Sequence, residues 1–230
     1  MAIIARDHGL LFIMVPHTGS SAVGQALIEQ CGGTWLPEKP ERDAKGDIVL
    51  PRKHNTVPQL ISHGVISRQE RARLVTAGTT RNPFDWLVSQ YLRMLPIRAG
   101  DRSGLVTMHG HTQGDPRYEG STQDFEGWLE KRYRRRRRGI LGQVLPPVSR
   151  KHVDWLQDVD VLLRFERLQE SFDGLMRRVG ITEPVVIPVV NETVSRRERE
   201  YQGWYTPRAR EIAETAFADY LKRHDYRFEA

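Results

Sequence analysis

The chain holds 230 residues, with 35 Lys and Arg against 29 Asp and Glu for a formal charge of +6, and it is 39% hydrophobic and 28% charged. Such a length supports one substantial core, and such a composition is that of a soluble globular protein, which excludes global disorder. No apolar stretch approaches the roughly 18 residues of a membrane-spanning helix, and the single cysteine, Cys31, excludes an internal disulfide and a cysteine-based zinc finger.

Arg6, Asp7 and His8 precede a short apolar run, so the start lacks the layout of a signal peptide and a cytoplasmic location is expected. Leu10 to Val15 are six apolar residues without polar interruption, the pattern of a strand covered on both faces in a parallel sheet. Pro16-His17-Thr18-Gly19-Ser20-Ser21 follows and opens a helical stretch from Ala22 to Ile28. Small residues at a helix start let the backbone approach a phosphate, whose charge is favoured by unpaired N–H groups and the helix dipole. Cys31 ends that apolar helix before Gly32-Gly33 and reads as a buried thiol.

Residues 34–53, rich in Pro, Lys, Glu, Asp and Gly, read as a surface excursion. Ser67-Arg68-Gln69-Glu70 fits a capping box, with the Ser67 hydroxyl accepting from the third helical N–H and Glu70 reaching back. Leu74 to Thr79 is expected to be a second strand, entering Arg81-Asn82-Pro83-Phe84-Asp85-Trp86-Leu87-Val88-Ser89-Gln90-Tyr91. Arg81 brings a fixed fork of donors, and Pro83 suits the first turn of a helix. Two anion-binding turns imply a ligand with two separated anionic groups.

Residues 98–120 carry several glycines and His109-Gly110-His111 without periodicity. A loop of that length is functional or mobile, which leaves an acceptor-covering lid and a plain surface insertion both open. The two histidines lack a third ligand, so no metal site is expected there. Ser121 to Asp124 can cap a helix that buries Phe125, Trp128 and Leu129, and Trp128 and Trp155 read as core. Arg134 to Arg138 form an unbroken basic run. It reads as a solvated helix end and loop or as a basic rim for a polyanion; nucleic acid is disfavoured because no aromatics interleave it. Thr206-Pro207 starts a terminal helix with an apolar stripe of Ile212, Ala216, Phe217, Tyr220 and Leu221.

Arg81-Asn82-Pro83 with Asp85, Val88, Ser89 and Tyr91 resembles the 3′-phosphate motif of sulfotransferases that use 3′-phosphoadenosine 5′-phosphosulfate (PAPS), and residues 15–21 resemble their 5′-phosphosulfate loop. The strand-to-helix segment Asp160 to Phe172, Tyr205-Thr206-Pro207 and the final His224-Asp225-Tyr226 resemble the sulfotransferase-2-like branch, in the family's order over most of the chain. The resemblance implies a single-domain α/β fold over 1–230, with a mostly parallel central sheet flanked by helices, of the P-loop nucleotide-binding type. It also implies sulfuryl transfer from PAPS to an acceptor hydroxyl on a glycan, lipid or small metabolite, with PAP as product and no metal.

The resemblance assigns the 5′-phosphosulfate to His17, Thr18, Gly19, Ser20, Ser21 and Ala22, and the 3′-phosphate to Arg81 and Ser89. Arg196 and Arg197, in Asn191 to Arg197, are similar to a late basic loop that closes over the nucleotide. His54, in Lys53-His54-Asn55-Thr56, resembles the Lys-His-x-Thr segment common between the two motifs in this branch and is the candidate base, with His63 its nearest rival and His109 and His111 behind it.

One position departs from the pattern. His17 stands where the family has Lys or Arg, and an imidazole, with an ordinary pKa of about 6.5, stabilises the leaving oxygen only as a cation or neutral donor. Three readings follow: His17 performs the lysine's role with pH dependence, Arg52 or Lys53 reaches in, or the chain binds nucleotide with weak or no catalysis. GxxxxGK[ST] does not occur, which counts against an ATPase or kinase. A polyanion-binding protein built on Arg134–Arg138 is the remaining alternative.

Overall fold

The computed structural model describes residues 2–51, 54–94, 125–135, 148–149, 154–189 and 200–229. Their elements begin with β1 (Ala2–Ala5), β2 (Leu10–Ile13), α1 (Ser20–Gln30), β3 (Thr34–Leu36), β4 (Glu41–Arg42) and β5 (Ile48–Leu50). Then come α2 (Val57–Ser62), α3 (Arg68–Arg71), β6 (Val75–Thr80), α4 (Pro83–Met94), α5 (Phe125–Tyr133), β7 (Arg134–Arg135) and β8 (Val148–Ser149). The last are β9 (Val161–Arg164), α6 (Leu168–Arg178), α7 (Pro207–Ala216) and α8 (Ala218–His224). The chain divides into two compact units, Met1–Arg81 with Val153–Val190, and Asn82–His152 with Asn191–Ala230.

The first unit holds a five-stranded sheet in the order β3-β1-β2-β6-β9. β2, β6 and β9 pair in parallel, while β1 runs antiparallel to both β2 and β3. Every strand except β1 therefore points the same way, which agrees with a mostly parallel α/β sheet. β1 itself is not legible in the composition around it. It is only four residues long and is followed at once by a 3-10 turn, Arg6–His8, that closes a hairpin through Gly9 at φ 57.

Alternation along β1 and β2 sends side chains to two cores. Ile3, Ala5, Leu10, Phe12 and Met14 pack with Val23, Ala26 and Leu27 of α1 and with Phe172, Leu175 and Met176 of α6. Ala2, Ile4, Leu11 and Ile13 pack instead with Val57 and Leu60 of α2 and with Leu36, Leu50, Ile66 and Leu74. Helices thus cover both faces, and burying each large aliphatic or aromatic side chain contributes about 1.5–3 kcal/mol. Cys31 is buried, and burial pushes its thiol pKa up, as suits an unreactive core cysteine.

Asp160 fastens β6 beside β9. One carboxylate oxygen accepts from the Thr76 backbone N–H at 2.8 Å, and the other accepts from Arg71 Nη2 at 2.8 Å.

Several local expectations are corrected. The stretch 34–53 is not wholly a surface excursion, because Thr34–Leu36 joins the sheet edge by pairing with β1 and residues 41–50 form the β4–β5 hairpin. At the start of α3, Ser67 accepts from the Glu70 N–H, but the Glu70 carboxylate pairs with Arg6 instead of reaching back. The complete capping box lies at Thr56 and Gln59, where α2 begins.

In the second unit, Phe84, Leu87, Val88 and Tyr91 of α4 pack with Phe125, Trp128, Leu129 and Tyr133 of α5 and with Ile212, Ala213 and Phe217. The Tyr205 hydroxyl donates to the Phe84 carbonyl at 2.9 Å, and burial raises its pKa well above the ordinary phenol value. The expected terminal helix is two helices, because Phe217 at φ −114 and ψ 16 leaves helical geometry between α7 and α8 while keeping its ring buried. Thr206 caps α7 by accepting from the Ala209 N–H at 3.0 Å. Arg134 and Arg135 form β7, paired with β8, directly after α5. Arg136–Arg138 and residues 98–120 lie outside the described residues.

Candidate functional site

β2 delivers the chain into the first candidate loop, and α1 carries it away. Between them, His17 sits at φ 61 and Gly19 at φ 76, a left-handed turn pair that folds the loop back over the strand end. Histidine tolerates that region better than most residues, and glycine occupies it without cost. Glycine is required at position 19 for a second reason. A Cβ there would stand 3.0 Å from both Leu168 Cδ2 and Phe165 Cδ2.

The loop hydroxyls turn inward. Thr18 Oγ1 donates to the Val15 carbonyl at 2.9 Å and meets the Thr79 hydroxyl of β6, and Ser20 Oγ donates to the same carbonyl at 2.7 Å. Because Thr18 spends its proton on Val15, Thr79 is the donor in the hydroxyl pair. The Ala22 N–H is engaged by the Gly19 carbonyl at 3.0 Å. Ser20 and Ser21 occupy the first two helical positions, whose N–H groups have no intrahelical acceptor. The backbone of α1, more than the Thr and Ser hydroxyls, is thus what the loop offers to an anion.

Arg81, at the end of β6, is 5% exposed and donates through Nη1 to the His17 carbonyl at 2.9 Å. Its guanidinium lies over the Phe165 ring, with Cζ 4.1 Å from the centroid. Two motifs 64 positions apart in sequence therefore meet in space. Thr79 and Phe165 were not singled out by sequence reasoning. The available signals were two threonines directly before Arg81 and an aromatic residue between β9 and α6.

His54 also belongs to this unit. It has φ 62, its Nδ1 is 3.1 Å from the Met14 carbonyl, and its ring stands edge-on to Trp155 at 5.8 Å between centroids. A carbonyl can only accept, so Nδ1 carries the proton and the lone pair of the neutral ring lies on Nε2. Trp155 is half-buried against this histidine rather than a core residue. His63 instead pairs with Glu41 at the surface, Nδ1 to Oε2 at 3.1 Å.

Ser89 lies in the second unit, buried on α4. Arg52, Lys53, His109, His111, Arg196 and Arg197 lie outside the described residues. Among the described residues, no group of three or more His, Cys, Asp or Glu side chains is arranged to hold a metal ion, and no helix is long and apolar enough to cross a membrane.

The locus is thus a strand-to-helix loop whose first helical N–H groups no side chain caps, with an arginine from the next parallel strand bound to it. The family model described as "Sulfotransferase family" matches residues 1–226. The chain belongs to the sulfotransferase family. The match runs through both structural units and through each sequence landmark named above. No curated protein and no solved structure matches the chain significantly. Membership in the sulfotransferase family supports a transferase role in general terms and implies an acceptor substrate, and it leaves donor and acceptor to the chemistry of this chain's own residues.

Proposed function

We propose that the protein transfers a sulfuryl group from PAPS to an acceptor hydroxyl. The observation that carries the proposal is the bond from Arg81 to the His17 carbonyl, which joins the two phosphate-like motifs into one locus. In this reading Ser20 and Ser21 present backbone N–H groups to the 5′-phosphosulfate, within a loop shaped by Thr18 and Gly19 and followed by Ala22. Arg81 holds the 3′-phosphate, the group to which the sequence resemblance also assigns Ser89, Arg196 and Arg197. The fit rests on α1, whose dipole favours an anion at its start, and on Gly19, whose missing side chain lets the loop seat against Phe165 and Leu168.

PAPS supplies the group transferred. His54 takes the acceptor proton on Nε2, since Nδ1–H is held by Met14, and this tautomer is what a general base requires. His17 donates toward the oxygen that leaves sulfur. These are positioning and electrostatic roles of the kind that dominate phosphoryl transfer. The acceptor class, an anionic glycan among others, is set by groups other than those of the donor site.

The second reading, a protein that binds PAP or PAPS without turnover, is favoured by one observation, the histidine at position 17 in place of the family's cation. Calorimetric titration with PAP, ATP and AMP, on wild type and Arg81→Ala, tests the shared part of both. Preference for PAP that disappears in the variant is expected; equal binding of all three nucleotides sinks the donor assignment. Turnover with a panel of hydroxyl acceptors then separates enzyme from binding protein.

A further inference from the structure

Phe165 occupies the 3-10 turn Phe165–Arg167 between β9 and α6, and it belongs to neither hydrophobic cluster of its unit. Half-buried, it is not filling a core. One face of its ring receives the Arg81 guanidinium at 4.1 Å, and its Cδ2 and Cε2 atoms stand 3.0 and 3.2 Å from where a Cβ on Gly19 would be. The Cδ2 atom of Leu168, at the start of α6, stands 3.0 Å from the same Cβ position. A single aromatic ring therefore backs both the loop before α1 and the arginine after β6.

We infer that Phe165 is a positioning residue that couples the two phosphate subsites, an inference that rests on the PAPS reading of Arg81 and the first loop. A guanidinium held over an aromatic face is restrained by attraction to the ring quadrupole, and Arg81 passes that restraint to the loop through its bond to the His17 carbonyl. The loop in turn is seated on the ring edge at Gly19. Filling either subsite orders a contact that the other subsite uses, so the two phosphates of one ligand bind with mutual reinforcement through a residue that touches neither. Linkage of this kind is reciprocal.

The test titrates PAP, AMP and adenosine 3′-phosphate into wild type, Phe165→Leu and Phe165→Tyr, with thermal denaturation of each variant. Two ratios are read: PAP over AMP, the gain from the 3′-phosphate, and PAP over adenosine 3′-phosphate, the gain from the 5′-phosphate. Both are expected to fall about threefold to tenfold in Phe165→Leu and to recover in Phe165→Tyr, which keeps the ring. A residue that only packs would lower the melting temperature and leave both ratios unchanged, and a residue serving one loop would move one ratio; either result overturns the inference. If wild type shows no preference for PAP over AMP, the PAPS reading fails and this inference fails with it. A wild-type preference that persists undiminished in Phe165→Leu overturns the inference alone.

Discussion

The Nδ1 atom of His54 lies 3.1 Å from the carbonyl oxygen of Met14, the residue that follows β2. A side chain from the segment before α2 is thereby fastened to the end of a central strand, one residue before the loop that begins at Val15. Rotation of the imidazole is restricted, and its tautomer is chosen by a backbone group that cannot titrate.

If His54 is the base, His54→Ala lowers turnover by about 10²–10⁴-fold while PAP affinity stays within about twofold of wild type. Single-turnover kinetics beside PAP calorimetry check this. Equal losses in turnover and nucleotide affinity would show instead that His54 supports the loop.

His17 as the group facing the leaving oxygen predicts a rate that falls as pH rises, because the cationic imidazole is the form lost. On the alkaline side the wild-type rate is expected to drop by about tenfold per pH unit. In His17→Lys the rate stays flat through the same range, since an ammonium ordinarily keeps its proton to about pH 10. Parallel pH profiles for the two proteins would remove His17 from the chemistry.

Gly19→Ala places a Cβ at φ 76 and 3.0 Å from Phe165 and Leu168. The left-handed backbone alone costs about 1–2 kcal/mol, and the crowding adds to it. A lower melting temperature is expected together with weaker PAP binding. A variant with wild-type affinity would show that the loop's shape is not what holds the nucleotide.

Asp160 predicts an acid limb of stability. Burial opposes its charged form, but the Thr76 N–H and hydroxyl and the Arg71 guanidinium outweigh that and hold the carboxyl pKa below its ordinary value. A depressed folded pKa contributes stability that is complete above the unfolded carboxylate value, about 3.9, and is lost as pH falls through the lower folded value. The side chain is 36% exposed, so solvent screens part of the effect. Melting curves from about pH 7 to about pH 2 should show the advantage of wild type over Asp160→Asn shrinking below about pH 4. A gap independent of pH would assign Asp160 a packing role only.

Much of the fold was legible because it rests on local chemistry. The unbroken apolar run from Leu10, the small residues that open α1, the proline that starts α4 and the Thr206-Pro207 cap each act within a few residues. β1 and β3 were not legible, because four- and three-residue strands become strands only by pairing with each other and with β2. Glu70 shows the same limit on a smaller scale. The reach-back expected of its carboxylate does not form, because a residue 64 positions away, Arg6, outcompetes the local partner with a full charge.

By itself the sequence determined the family: a turn of small residues after a buried strand, an arginine motif after another, and an order of landmarks that belongs to the sulfotransferase family. Only the tertiary structure decided which groups act on which. That the Arg81 guanidinium holds the His17 carbonyl and that Phe165 backs both depend on parallel pairing of β2, β6 and β9, and that His54 takes its tautomer from Met14 depends on the packing of the segment before α2 at the end of β2. Parallel strands place their carboxyl ends side by side, so loops distant in sequence emerge at one edge of the sheet, and no local pattern of residues encodes the few ångströms between them.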